Sequence, residues 1–227
     1  MRDASAILRT TDVFGTLDEV AARDLAAQMI TRRYRKGQPL VHEGESGTTL
    51  FVIVEGSVAV FVTAETGDRM TLATLGPTDV VGEIALLDEG PRSASAEAIE
   101  PTTVLVLSRA TFLDLVRTQP KIVDGVLRAM GAMVRRLSEQ TADFVFLDLP
   151  GRVAKTVLRL AHDADGDATP AEICVTQGRL AEMVGGSRQS VNQILQHFQA
   201  RGMLQVVGRR IVVVDAAQLR KRAGVPD

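Results

Sequence analysis

VTQGRLAEMVGGSRQSVNQILQHFQARGML, residues 175–204, decides the fold of the C-terminal third of the chain. Thr176 stands where the N-cap of a first helix is expected, and Ser187 where that of a second is expected. Gly185 and Gly186 between them permit a sharp turn. The apolar positions that recur at helical spacing are Leu180, Ala181, Val184, Val191, Ile194 and Leu195. This order predicts a helix-turn-helix.

The outer face of the second predicted helix is polar near its N-terminus and carries no acidic residue. A recognition helix presents such side chains to base edges in the major groove, where arginine pairs with guanine and amides pair with adenine. The hairpin MLQVVGRRIVVVD, residues 203–215, has Gly208 and Arg209 at its tip and predicts a wing that reaches a phosphate backbone. The predicted contacts to double-stranded DNA are Thr176, Gln177, Ser187, Arg188, Gln189, Asn192, Gln193, Gly208 and Arg209.

The distribution of charge agrees with this interpretation. Residues 150–227 carry 11 lysines and arginines against 7 acidic residues, whereas residues 1–149 carry 15 against 21. A basic C-terminal part joined to an acidic part is typical of a DNA reader fused to a sensor.

Composition excludes several other classes of protein. The chain is 45% hydrophobic and 24% charged, and it has neither a long apolar run nor the apolar core of a signal peptide, which predicts a cytoplasmic protein without a membrane partner. Its one cysteine, Cys174, lies in an apolar segment and is expected to be buried. The three histidines do not share a ligand-like spacing, so no metal site is expected.

The N-terminal half changes from helical to β patterning. Residues 1–30 predict short helices, one of them capped by Asp18 with apolar positions at Val20, Leu25 and Met29. From Tyr34 to Leu107, short β runs alternate with glycine turns and predict a small antiparallel barrel or roll. The runs are PLVHEG, TLFVIVEG, SVAVFVTAETG, MTLATLG, VVGEIALL and TVLVLS.

A long helix is predicted after this region. Ser108 caps a short helix over 110–117, and Pro120 opens a helix that runs to about Leu147. Its apolar stripe is Val123, Val126, Met130, Met133, Leu137, Phe144 and Leu147. The spacing favours a seam between two copies of the helix, with cover for the roll as the alternative. Residues 148–151, DLPG, end the helix and predict a hinge, which gives expected segments 1–119, 120–148 and 149–227.

VGEIALLDEGPRSASAEA, residues 81–98, is the most informative stretch of the first segment. A glycine lets backbone amides approach a ligand, the carboxylate of Glu83 can accept from a ribose hydroxyl, and Arg92 can neutralise a cyclic phosphate with Ser93 beside it. This ordered combination predicts a cyclic-nucleotide site.

The sequence resembles the cyclic-AMP receptor protein/fumarate-nitrate regulator (CRP/FNR) family of bacterial transcription factors over essentially its whole length. The matching stretches are TLFVIVEGSVAV, VGEIALLDEGPRSASA, FVFLDLPGRVAKTVLRLA and VGGSRQSV. The resemblance implies an α+β protein: an N-terminal cyclic-nucleotide-binding β-roll (a double-stranded β-helix), a long dimerisation helix and a C-terminal winged helix-turn-helix. It implies a homodimer that binds a palindromic operator, responds to an effector in the roll and acts on RNA polymerase.

Carried over residue by residue, the resemblance assigns the ligand contacts to Gly82, Glu83, Ile84, Ala85, Arg92, Ser93, Leu137 and Ser138. Members that respond to cyclic AMP present adjacent Thr and Ser to the adenine, and this chain has Leu137 at the Thr position. Leucine makes no hydrogen bond, so recognition of the base is expected to be weakened or altered. Cyclic AMP is the expected effector, with cyclic GMP second.

The recognition helix also departs from the better-known members of the family. Arg188 keeps the first role, but Gln189 stands in place of a glutamate and Gln193 in place of a second arginine. Because glutamine suits adenine better than cytosine or guanine, the protein is expected to read an altered half-site.

Other functions are weighed against this one. A non-cyclic-nucleotide effector or constitutive activity in the same architecture is the main alternative, and activation and repression are both open. A cupin-type enzyme needs a cluster of histidines in the strands, which offer only His42, so no enzymatic activity is expected. His42 is predicted to be an ordinary residue between a strand and a turn, which is favoured over a role as a haem ligand. The missing N-terminal cysteines exclude the iron–sulfur branch, and the helix-turn-helix argues against a subunit that only regulates another protein.

Overall fold

The computed structural model describes residues 3–87, 90–165 and 170–224. The helices are α1 (Ala4–Leu8), α2 (Glu19–Gln28), α3 (Glu83–Leu87), α4 (Arg109–Thr118), α5 (Pro120–Phe146), α6 (Leu149–Asp165), α7 (Gln177–Val184), α8 (Arg188–Ala200) and α9 (Ala216–Ala223). The strands are β1 (Ile30–Tyr34), β2 (Pro39–Val41), β3 (Thr49–Glu55), β4 (Val58–Thr63), β5 (Arg69–Leu75), β6 (Val80–Val81), β7 (Ser95–Ala98), β8 (Thr102–Ser108), β9 (Ala171–Cys174), β10 (Leu204–Val207) and β11 (Arg210–Val213).

The chain divides into two compact units. The first comprises Met1–Val62 and Leu72–Arg136, and the second comprises Thr63–Thr71 and Leu137–Asp227. The expected segment boundaries at 119/120 and 148/149 remain a prediction.

A roll of two four-stranded sheets dominates the N-terminal part, with strand orders β1-β8-β3-β6 and β2-β7-β4-β5. Strand β3 pairs antiparallel with β8, so that Leu50 lies opposite Leu107 and Val52 opposite Leu105. Phe51 of the same strand joins a core formed by residues of both sheets. Leu50 and Val52 point to the opposite face and join the core shared with the helices. Because both faces of β3 are buried, all of its residues from 50 to 54 are apolar. The predicted α+β fold with a β-roll is confirmed.

Three details of the N-terminal predictions are wrong. The segment Glu83–Leu87, assigned to a β run, forms helix α3, and β1 and β7 were not predicted. Asp18 caps α2 as expected, accepting from the amide of Ala21, but Val20 is 69% exposed and does not belong to the apolar face.

Helix α5 begins at Pro120 and ends one residue before the predicted Leu147. The predicted stripe is only partly correct, because Val126 is buried in the core of the first unit and Met130 packs against that core. The large apolar side chains of α5 that are exposed in the first unit are Val123, which belongs to the predicted stripe, and Leu127 and Val134, which do not. The alternative of a stripe that covers the roll therefore holds for the first half of the helix.

The C-terminal part is a helical domain with a small sheet of order β10-β11-β9. Its core combines side chains from α6, α7, α8, α9 and the three strands, with Phe198 and Leu195 almost fully enclosed. The strand β9 and helix α9 were not predicted. Cys174 is exposed, contrary to expectation, because β9 alternates and directs Ala171 and Ile173 inward instead.

Candidate ligand pocket and nucleic-acid interface

The backbone around Arg92 is fixed by a short loop that precedes β3. The amide of Arg92 donates to the carbonyl of Glu45 over 2.8 Å, and the carbonyl of Arg92 accepts from the amide of Gly44 over 2.9 Å. A bridge between Ser46 and Pro91 continues this pairing. The loop holds the predicted phosphate-binding arginine in one backbone position.

The guanidinium of Arg92 is buried, with 4% of the residue exposed. Its Nη1 donates to the carbonyl of Gly82 over 2.9 Å, and its Nη2 donates to the carbonyl of Thr49 over 2.5 Å. Among the residues that the structure describes, Nε of Arg92 has no hydrogen-bond partner. Burial lowers the pKa of Arg92 from its usual value, and the carboxylates of Glu83 and Glu45 act in the opposite direction. A buried cation of this kind is stabilised by an anionic ligand.

Gly82 lies where β6 passes into α3, and its backbone requires glycine. Its φ of +93° is in the left-handed region, and a Cβ there would lie 2.3 Å from Nη1 of Arg92. Any side chain would therefore displace the guanidinium. The glycine at this position keeps backbone and arginine in close contact.

Glu83 is the first residue of α3 and is half-buried. Burial raises the pKa of its carboxyl above the usual value, while its own backbone amide, Arg136 and Arg92 favour the ionised form. The carboxylate of Glu83 and the guanidinium of Arg92 therefore act on each other electrostatically, and their binding of a ligand remains a prediction. Acceptance of a ribose hydroxyl and neutralisation of a phosphate are the chemistry that this pair can supply.

The other predicted ligand residues are placed as follows. Ala85 is buried and lies close to Gly47. A Cβ added to Gly47 would lie 2.1 Å from the Cβ of Ala85. Ile84 is partly buried, and Ser93 is exposed. Leu137 and Ser138 lie on α5 in the second unit, and their contact with a ligand remains a prediction.

The helix-turn-helix forms as predicted. Thr176 caps α7 by accepting from the amide of Arg179, and Ser187 caps α8 by accepting from the amide of Ser190. Between the helices, Gly185 adopts a left-handed conformation with φ +63°. The turn therefore depends on glycine, and the two caps fix where each helix begins.

The outer face of α8 carries the predicted readers of DNA. Arg188, Gln189 and Gln193 are exposed. Asn192 is half-buried, and its Oδ1 accepts from the side-chain Nε2 of Gln177 over 3.1 Å. Asn192 is thus tied to α7, which leaves the other three free to meet base edges.

The wing brings the hairpin tip to the start of the two helices. Gly208 has a φ of +64°, which permits the turn between β10 and β11, and Arg209 is exposed. A cleft of about 440 Å³ is lined by Thr176, Gln177, Gly178, Arg188, Gly208 and Arg209. Five predicted DNA-binding residues, distant in sequence, therefore meet on one surface.

A junction within the C-terminal unit was not foreseen from the sequence. The guanidinium of Arg152 lies 4.7 Å from the centre of the Phe144 ring and donates to the carbonyls of Val184 and Leu147. Lys155 pairs with Asp143 over 2.6 Å. The end of α5, the start of α6 and the end of α7 are held together by these contacts.

Comparison with known proteins identifies both domains. The cyclic nucleotide-binding domain family matches residues 31–119, and the Crp-like helix-turn-helix domain family matches residues 151–222. A CRP-like cAMP-activated global transcriptional regulator from Mycobacterium tuberculosis is 32% identical over 220 residues, which cover 96% of this chain and 98% of that protein. This chain belongs to the CRP/FNR family of transcriptional regulators.

Other CRP/FNR proteins extend the comparison. The cAMP-activated global transcriptional regulator CRP of Salmonella typhimurium is 36% identical over 187 residues, covering 80% of this chain and 88% of that protein. The c-di-GMP responsive global regulator CLP of Xanthomonas campestris superposes with a TM-score of 0.79 at 21% identity, covering 87% of this chain and 99% of that one, which shows the shared fold.

This CRP-like regulator therefore contains a cyclic nucleotide-binding domain and a DNA-binding helix-turn-helix. Sequence reasoning missed Thr49, Gly47 and Arg136 at the ligand pocket. The glycines at 44 and 47 on either side of Glu45 were the available signal for a tight loop. Over the described residues, no helix is long and apolar enough to cross a membrane, and no metal-binding cluster of His, Cys, Asp and Glu occurs.

Proposed function

We propose that the protein is a dimeric transcription regulator whose binding to a palindromic operator is gated by a cyclic nucleotide, cyclic AMP first and cyclic GMP second, in the β-roll. The observation that carries the proposal is the buried guanidinium of Arg92, with two nitrogens held by the carbonyls of Gly82 and Thr49 and Nε free among the described residues. A cyclic phosphate would compensate this buried charge. Glu83 in the same pocket suits the ribose hydroxyl.

Calorimetry with cyclic AMP and cyclic GMP tests the ligand. Replacing Arg92 by Gln removes charge-assisted hydrogen bonds of about 1.5–3 kcal/mol and should weaken binding about 10- to 100-fold. Arg33→Gln is the matched control, because Arg33 is exposed on β1 of the same roll. If the unaltered protein binds neither nucleotide, the cyclic-nucleotide proposal is wrong and the main alternative, another effector or constitutive activity, takes its place.

The base of the nucleotide is proposed to be read by α5. Leu137 offers no hydrogen bond to adenine, and Leu137→Thr should raise the affinity for cyclic AMP over cyclic GMP. Relatives of the same fold respond to different nucleotides, as the names of the Salmonella and Xanthomonas proteins state. Cyclic di-GMP therefore belongs in the same titration, and preferential binding of it would refute cyclic AMP as the effector.

Dimerisation is proposed through α5, on the face that carries Val123, Leu127 and Val134. Leu127 and Val134 are 63% and 61% exposed and lie seven residues apart, one heptad. Sedimentation equilibrium should show a dimer that Leu127→Glu dissociates. Val20→Glu, at an equally exposed valine on α2, should leave the dimer intact, and a monomeric unaltered protein would contradict the proposal.

DNA binding is proposed to use the cleft between the wing and the two helix N-termini, with Arg188 and Arg209 on its walls. Site selection with the ligand present should return a palindrome with altered bases where Gln189 and Gln193 point. In vitro transcription with RNA polymerase, with and without nucleotide, then distinguishes activation from repression. This function places the protein in the bacterial cytoplasm, with no catalytic role.

A further inference from the structure

Two carboxamide side chains meet between the helices of the helix-turn-helix. Gln177 is the first residue of α7 and Asn192 is the fifth of α8, and both are half-buried. Nε2 of Gln177 donates to Oδ1 of Asn192 over 3.1 Å. This hydrogen bond joins the first helix of the motif to the helix that carries the proposed readers of DNA.

The backbone holds both ends of the hydrogen bond in place. Thr176 caps α7 directly before Gln177, and Ser187 caps α8 five residues before Asn192. Val191, the neighbour of Asn192, is fully buried in the core of the domain. Because caps and core fix the two helices, a new side chain at position 177 should change the partner of Asn192 and leave the backbone in place.

The pair lies beside the side chains that are proposed to meet DNA. Gln177 lines the cleft that Arg188 and Arg209 also line. Asn192 follows Arg188 by four residues and Gln189 by three, and these are the spacings at which side chains share one face of a helix. The part of the Asn192 amide that Gln177 does not use therefore belongs to the proposed reading face.

The chemistry of the amide decides which base this part suits. A carboxamide has an acceptor at one corner and two donors at another. An asparagine that pairs with adenine uses both corners at once, since its oxygen accepts from N6 and its nitrogen donates to N7. Oδ1 of Asn192 faces Gln177, so Nδ2 is the atom left for a base. Nδ2 only donates, and it suits a base edge that offers acceptors, such as N7 and O6 of guanine or O4 of thymine.

We infer that Gln177 is a positioning residue for base recognition, which turns the amide of Asn192 so that Nδ2 is presented to the DNA. The pair then selects guanine or thymine, where the sequence alone predicts adenine. The inference rests on the proposed function, the binding of an operator through α8. Gln177 acts here through Asn192, and the effect needs no contact between Gln177 and a base.

Replacement of Gln177 can reverse the direction of the hydrogen bond. An ionised glutamate only accepts, so in Gln177→Glu the Nδ2 group of Asn192 should turn to residue 177 and Oδ1 should face the DNA. The preferred base at one position of each half-site should then change from guanine or thymine to cytosine or adenine, whose N4 and N6 groups donate. Gln177→Lys keeps a donor at this position and should keep guanine or thymine.

Competition binding with operators that differ at one base pair measures the preference. The base pair is the one at which Asn192→Ala no longer distinguishes the four bases. Gln177→Ala releases the amide and should reduce the discrimination there about 2- to 10-fold, which corresponds to one neutral hydrogen bond. Gln205→Glu is the matched control, because it makes the same change of charge at an exposed residue of β10. Its base preference should equal that of the unaltered protein, even if the added charge weakens binding to every operator.

NMR of the side-chain amides provides a readout without DNA. Asn192→Ala should shift the signals of the Gln177 Nε2 protons, and unchanged signals would show that the hydrogen bond does not form. That result overturns the inference, as does a preference for adenine at the Asn192 position of the unaltered protein or an unchanged preference in Gln177→Glu. If the amide signals shift but the unaltered protein binds no DNA, the proposed function is wrong and the hydrogen bond has a structural role only.

Discussion

The turn of the helix-turn-helix offers a quantitative test of the fold of the DNA-binding domain. Gly185 has φ +63° and ψ +53°, and a Cβ there would lie 2.8 Å from Cε1 of Phe144. Gly185→Ala should cost about 1–2 kcal/mol from the left-handed backbone alone. The clash adds to this cost, because the Phe144 ring is held beneath the guanidinium of Arg152.

Amide hydrogen exchange in α8 measures the effect in the intact chain. Val191 and Leu195 are buried there, and a loss of about 1–2 kcal/mol should speed their exchange about 5- to 30-fold. Gly178→Ala is the control, since it is expected to raise the stability of the domain and not to lower it. Gly178 lies in α7 without a positive φ, and its Cβ would meet no atom within 4 Å, so the change should stabilise the helix by up to about 1 kcal/mol. If the amides of Val191 and Leu195 exchange at equal rates in Gly185→Ala and Gly178→Ala, the left-handed turn at Gly185 is not strained by a side chain.

Three further predictions concern stability, specificity and pH. Phe198→Ala should destabilise the C-terminal core by about 3–5 kcal/mol, measured by the same exchange experiment, and a cost below 1 kcal/mol would contradict its central place. Gln189→Glu should shift the selected operator from adenine towards cytosine at one position of each half-site, by about 1–3 kcal/mol in binding assays, and an unchanged site would show that this residue reads no base. The hydrogen bond from Arg222, followed by that from the Gly151 amide, lowers the pKa of Asp148 in the folded protein. The ionised Asp148 therefore stabilises the fold fully above the pKa of the unfolded chain, and this contribution is lost as the pH falls through the lower pKa of the folded state. Asp148→Asn should therefore lower Tm at neutral pH but not in strong acid. If the Tm of the variant and that of the unaltered protein differ by the same amount at every pH, the prediction is wrong.

The helix-turn-helix was predicted almost residue by residue because its signals are local. The sequence predicts helices over 177–184 and 188–199. Helix α7 has these bounds, and α8 ends one residue later, at Ala200. Caps, a glycine turn and helical spacing act within a few residues of each other, so they can be read without knowledge of the rest of the chain. The segment Glu83–Leu87 was misassigned because a short apolar run fits a strand and a helix equally well.

The long helix shows the limit of periodicity. Spacing predicts that Val126 and Met130 share a face with Val123, but it does not say which neighbour that face meets. In the structure Val126 packs on the core of the first unit, and Leu127, one position along, is exposed. A shift of one residue turns the side chain by about 100° around the helix, which is enough to exchange the buried and free faces.

The sequence by itself determined the family and the capped helix-turn-helix with its wing, and it predicted a glycine, a glutamate and an arginine as the contacts of an anionic nucleotide. Only the tertiary structure decided the partners of these residues. Arg92 donates to the carbonyl of Thr49, 43 positions away in the chain, and the charge of Arg136 on α5 favours the ionised form of Glu83, after the hydrogen bond from the Glu83 backbone amide. Backbone carbonyls occur at every residue, and the reach of a field depends on distance in space, so neither partner has a signature in the order of the amino acids.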